Sequence, residues 1–120
     1  MPDLLFSAVQ PTANLHIGNY IGALKQWIEI QHRYRCVFCV VDLHAITMPQ
    51  DPKMLRENIL NVAATYLAVG IDPARCHIFV QSEVPEHAEL GWILGTLTKI
   101  AELERMTQFK DKSKKQNKNV

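Results

Sequence analysis

Three short runs that are apolar at nearly every position constrain this chain most: Leu4–Val9, Cys36–Val41 and Cys76–Gln81. A strand with one face in water alternates apolar and polar residues. A strand apolar throughout is covered on both faces, as in a parallel sheet packed between helices. Between the runs lie two segments of helical periodicity. Ile17, Tyr20, Ile21, Leu24, Trp27 and Ile28 make one stripe, in a helix expected from Ile17 to about Gln31; Leu55, Ile59, Val62, Ala63, Tyr66 and Leu67 make the other. Asp51 reads as the N-cap of the second helix, Pro52 as its first residue and Gly70 as the residue just past its end. Strand and helix in alternation predict βαβ units with right-handed crossovers. The fold class is therefore α/β, with a parallel sheet amounting to half of a doubly wound domain.

A third helix is expected from Pro85 to about Arg105. Val84, His87, Leu90, Gly91, Leu94, Leu97 and Ala101 share one face, while Trp92, Ile93 and Ile100 fall elsewhere. A helix apolar on more than one side is buried or sits at an interface. Glu83, Glu86 and Glu89 at its start read as solvated charges favoured by the helix dipole.

The 120 residues, 48% hydrophobic and 21% charged, suit one small globular domain. No apolar run reaches the ~18 residues of a membrane span, and no basic-then-apolar leader opens the chain. A cytoplasmic location without membrane association is the expectation. Net charge is +1, unevenly spread: residues 105–120 hold six basic side chains against Asp111 alone. Residues 106–120 are expected to be a basic mobile or disordered end, and residues 1–105 the folded part. Cys36 and Cys39 have C-x-x-C spacing, but on a strand they point to opposite faces and cannot chelate one ion. They and Cys76 are expected to be buried thiols, with no metal held by protein side chains.

Two places carry chemistry. The first is the passage from strand to helix at Phe6–Tyr20, which sets backbone N–H groups at a helix N-terminus where anions, phosphates above all, bind. The second is Asp42-Leu43-His44-Ala45, polar residues at the carboxyl end of a buried strand, where open α/β sheets bind ligands.

These stretches also carry a resemblance. Phe6–Tyr20 reads F-S-x-x-Q-P-T-x-x-L-H-I-G-N-Y, and V-D-L-H-A-I-T, G-I-D-P, Q-S-E-V-P-E-H-A and E-R-M-T-Q-F-K-D-K-S follow. Over Leu5 to about Ser113 the chain resembles bacterial tryptophanyl-tRNA synthetases, class I enzymes with a Rossmann-like domain and an H-I-G-H signature. The resemblance implies ATP-dependent activation of L-tryptophan and its transfer to tRNA(Trp), by a homodimer using magnesium with ATP. It implies an ATP site at Gln10, Pro11, Thr12, Gly18 and Asn19, a tryptophan pocket bordered by Phe6, Val9 and His44, and catalytic roles for His16, Asn19 and Lys112. It makes Gly18 a place where a side chain would stand between helix and nucleotide. Ala8 and Ala13 depart from glycines usual in the family. The K-M-S-K-S signature, the segment reading the indole N–H and the anticodon-binding domain have no counterpart here. The chain is thus expected to be the N-terminal part of such an enzyme, inactive alone. A truncated non-catalytic module that binds nucleotide or dimerises is the alternative, and a tyrosyl-type relative a more distant one.

Overall fold

A computed structural model describes residues 3–11 and 16–116. They divide into two compact units, with the boundary between Glu83 and Val84 rather than near residue 105.

The first unit is built on a three-stranded parallel sheet in the order β1 (Leu4–Val9), β2 (Arg35–Val40), β3 (His77–Val80). Leu4 through Val9 pair with Arg35 through Val40, and Val37 through Val40 pair with His77 through Val80. Both crossovers step the same way along the sheet. Two right-handed crossovers of that kind must lay their helices on one face. The first crossover holds α1 (Ile17–Asn19), a π-helical turn (Tyr20–Leu24) and α2 (Lys25–Ile30). The second holds a short α3 (Asp42–Ala45) and the long α4 (Pro52–Ala68).

The core lies between that face and those helices. Leu24 and Trp27 from the first crossover, Val62 and Tyr66 from α4, and Ile71 close over Cys36, Phe38 and Val40. Trp27 stacks on Phe38 with ring centroids 4.3 Å apart and planes 10° from parallel. Tyr66 meets the same indole edge-on at 5.3 Å and 73°. Its hydroxyl donates to the Cys39 carbonyl at 3.1 Å, so the buried phenol is satisfied.

The opposite face of β1 is not covered as the apolar runs predict. Leu4 and Phe6 are 65% and 60% exposed, because both crossovers occupy the other side. The expected stripe of the first helix is also broken: Leu24 and Trp27 are buried, but Ile17 and Ile21 are exposed. The cause is the π turn, in which the Lys25 N–H returns to the Tyr20 carbonyl five residues back. The wider turn rotates the residues before it out of phase with those after it.

The second helix keeps its expected ends. Asp51 Oδ1 accepts from the N–H groups of Lys53 and Met54, and Gly70 has φ +103°. Gln31, buried at the end of α2, fixes the loop after Gly70. Its Nε2 donates to the carbonyls of Ile28 and Gly70, both at 3.0 Å, and its Oε1 accepts the Asp72 N–H at 2.9 Å.

The second unit carries α5 (Pro85–Leu97), α6 (Ile100–Leu103) and α7 (Thr107–Gln116). The single helix expected to Arg105 breaks at Thr98 and Lys99, which are extended. The Thr98 hydroxyl donates to the Leu94 carbonyl at 2.6 Å, occupying an acceptor at the helix end. Where a disordered end was expected, residues 107–116 are helical. The apolar residues of α5 are exposed, Trp92 by 76% and Leu97 by 74%.

Trp27→Ala should cost about 3–5 kcal/mol, because one ring holds two others. Tyr66→Phe should cost about 1 kcal/mol by removing the hydroxyl's hydrogen bond to the Cys39 carbonyl. Urea titration monitored by circular dichroism measures both. The same core makes stability fall in alkali. Burial raises the thiols of Cys36, Cys39 and Cys76 and the Tyr66 phenol, Cys39 from 9.0 to about 11. The unfolded chain then releases these protons first, so the folded state loses ground as pH rises. The contribution of these groups should be constant below pH 9 and decline through the window up to about 11, at ~1.4 kcal/mol per pH unit for Cys39 alone.

Candidate functional site

The carboxyl ends of β1 and β2 stand side by side, and the first crossover starts beside them. There the chain forms a cleft of about 500 Å³ lined by Ala8, Val9, Gln10, Asn19, Ala23, Val41 and His44. Val9 and Gln10 arrive on the last residues of β1, Val41 and His44 follow β2, and Asn19 and Ala23 lie one turn apart on the first crossover.

Two sets of hydrogen bonds shape the rim. At the start of α1, His16 Nδ1 accepts the Gly18 N–H at 3.1 Å, and Asn19 Oδ1 accepts the His16 N–H at 3.0 Å. This is a reciprocal cap with His in the place usually taken by Ser, Thr or Asp. It leaves the Asn19 NH2 as the group that side chain brings to the cleft. Across the floor, Gln10 Nε2 donates to the His44 carbonyl at 3.3 Å, and the Thr47 hydroxyl donates to the same oxygen at 2.8 Å. The end of β1 is thereby tied to α3. Beyond it, Asp42 is buried, and its Oδ1 accepts from Leu43 N–H and Ser82 N–H, each at 3.0 Å.

Of the residues singled out in the sequence, Val9, Gln10, Asn19 and His44 come together in this cleft. Pro11 is fully buried and does not line the cleft, and His16 and Gly18 are exposed on the cap. Phe6 points from the open face of β1 and does not line the cleft. Lys112 lies on α7, in the second unit. Thr12 and Ala13 lie outside the described residues.

The freedom of Gly18 has a cause that sequence reading missed. A Cβ there would come within 2.8 Å of His16 Cε1 and 2.9 Å of Nδ1, so the glycine makes room for the capping imidazole. The Gly18 N–H, one of the donors expected to meet an anion, is taken by that ring. Ala23 and Val41 were also missed. Ala23 follows Asn19 by four residues, a helical signal that it shares the cleft wall. Asp42 was picked out at a strand's carboxyl end, but its part as an acceptor of backbone N–H groups was missed: a carboxylate directly after an apolar strand has a backbone N–H of the next turn within reach. Ala8 is on the wall, where its methyl narrows the cleft.

The described residues include no group of three His, Cys, Asp or Glu able to hold a metal ion, and no helix long and apolar enough to cross a membrane. What the cleft offers is amide, imidazole and backbone groups over an apolar floor at the carboxyl ends of parallel strands. A parallel sheet with crossover helices and a cleft at the carboxyl ends of its strands defines a Rossmann-like α/β domain. The sequence profile described as tRNA synthetases class I (W and Y) matches residues 3–120, and the chain belongs to that family. It is 58% identical over 114 residues to the tryptophan–tRNA ligase of Bacillus subtilis, covering 95% of this chain and 34% of that enzyme. It is 61% identical over 111 residues to that of Enterococcus faecalis, covering 92% and 33%. Among solved structures, the tryptophanyl-tRNA synthetase of Mycoplasma pneumoniae superposes with a TM-score of 0.90 at 36% identity, covering 99% of this chain and 34% of its own. That of Campylobacter jejuni, complexed with ADP and tryptophan, gives 0.86 at 40% identity, covering 93% and 35%. The chain thus spans about a third of the length of these relatives.

Gly18→Ala separates the cap from helix propensity. The methyl displaces the His16 ring and breaks its hydrogen bond, while alanine favours the helix by ~1 kcal/mol. Melting temperature should therefore change little, while the ring resonances of His16 shift in proton–carbon NMR spectra.

Proposed function

We propose that this chain is the nucleotide- and tryptophan-binding portion of a tryptophan–tRNA ligase. The observation that carries the reading is the cleft itself: Val9, Gln10 and Asn19 from the Phe6–Tyr20 motif and His44 from V-D-L-H-A-I-T line one cavity at the strand ends. The ligase names of the relatives, and the ADP and tryptophan in the Campylobacter jejuni structure, supply the ligands.

In the reaction, the tryptophan carboxylate attacks the α-phosphate of ATP and pyrophosphate leaves. The adenylate then passes its tryptophanyl group to the 3′ end of tRNA(Trp). Such chemistry asks the protein chiefly for positioning and for donors at developing negative charge. Gln10 and Asn19 bring amide groups for ATP, with Pro11, Thr12 and Gly18 forming the backbone path beside it. His44 and Val9 bound the tryptophan side, with Phe6 on the neighbouring face. His16 holds the cap and can exchange its Gly18 bond for a phosphate oxygen. Lys112 supplies a cation for the pyrophosphate. Magnesium would arrive on the triphosphate, where phosphate oxygens are its natural ligands. The exposed apolar faces of α5 fit a homodimer, and the location would be the cytoplasm, where translation runs.

A second reading, a binding or dimerising module without catalysis, is favoured by one observation: Ala8 lines the cleft, where its methyl narrows the cavity. Two measurements on the purified chain decide. Titration with tryptophan and with magnesium–ATP should shift amide resonances of Val9, Gln10, Asn19 and His44; a folded chain unmoved by either overturns the proposal. Tryptophan-dependent ATP–pyrophosphate exchange above background, lost in Gly18→Leu, favours catalysis. Binding without exchange favours the module.

A further inference from the structure

Asp42 is a buried carboxylate that no step above uses. It stands at the junction of three elements: it follows β2, it begins α3, and its Oδ1 reaches the N–H of Ser82 just beyond β3. One oxygen accepts two backbone donors, Leu43 and Ser82, both at 3.0 Å. On its other side α3 is held by Gln10, whose amide reaches the His44 carbonyl from β1. A four-residue helix has too few internal bonds to keep its own place. These two ties, one toward each flanking strand end, add to the packing of the buried Ala45 in holding it.

From this geometry we propose that Asp42 is the positioning residue of the cleft: it anchors α3 to the end of β3 and so fixes where His44 stands. His44 is two residues further along the same turn, on the cleft wall. Asp42 is not among the residues that line the cleft. Its contribution is to remove the freedom of α3 to swing away from Gln10. A carboxylate suits the task because both its partners are donors, and an isosteric amide can present the same oxygen. The ligand-binding consequence rests on the function proposed above; the structural anchor does not.

The test joins ligand-free and ligand-bound measurements on the 120-residue chain. In the unmodified protein, hydrogen exchange should protect the Ser82 and Leu43 amides to the same degree as those of Ala45 and Ile46, since they open together. A Ser82 amide that exchanges freely while α3 stays protected overturns the anchor, whatever any variant does. Asp42→Ala should shift the His44 ring and Gln10 side-chain amide resonances without ligand, whereas Asp42→Asn should leave them near their original values. A folded Asp42→Ala chain with both sets unmoved also overturns it. With tryptophan as probe, Asp42→Ala should weaken binding about tenfold, the scale of a lost hydrogen bond to a charged group. In a His44→Ala background the same change should add less than about twofold, because the route to the ligand is gone. Full additivity of the two substitutions overturns action through His44. Tryptophan failing to bind the unmodified chain defeats the proposed function instead, and the exchange and ring-resonance results still decide the anchor.

Discussion

The contact on which the first unit depends is the stack of Trp27 on Phe38, closed at its edge by Tyr66. One indole joins both crossovers to the central strand. Phe38 is on β2, Trp27 on α2 and Tyr66 on α4, so the three rings fix the rotation of both helices about the sheet. Burying rings of this size is the largest single hydrophobic term available to a domain this small, and the edge-on contact adds direction to it. Tyr66 also donates to the backbone of β2 near its carboxyl end. The strand ends that carry the cleft are therefore held in line from below, by packing that no ligand touches.

Much of this was legible in the residues. The three apolar runs became three strands, with β1 matching its expected bounds, and Asp51, Pro52 and Gly70 marked the ends of α4. These features are local: a period, a cap, a glycine past a helix end. What escaped were consequences of geometry between segments. A sequence shows Ile17–Gln31 as one amphipathic helix; only the folded chain shows a wide turn that throws Ile17 and Ile21 outward. It shows Thr98 as an ordinary helical residue, and not as the point where the backbone turns extended and the hydroxyl joins the N–H on the Leu94 carbonyl. It also gives no sign that a Cβ at Gly18 would meet the His16 ring.

The site divides in the same way. Gln10, Asn19 and His44 could be picked out because polar residues at strand ends invite attention. Their mutual arrangement rests on bonds to backbone atoms, which no residue pattern displays. Gln10 reaches the carbonyl of His44 across thirty-four positions of chain. Gln31 in the core does the same across thirty-nine to Gly70. Each is a long-range tie in which a side-chain amide donates to a distant backbone carbonyl.

The burial of all three thiols gives the molecule a built-in clock. Cys36, Cys39 and Cys76 sit on or beside two adjacent strands, and none is exposed. An alkylating reagent in solution can therefore modify this chain only when the sheet opens. The rate of modification counts openings of β2 and β3 directly, with no probe introduced and no residue changed. Because Cys36 and Cys39 point to opposite sides of one strand, their separate rates tell which face opens first.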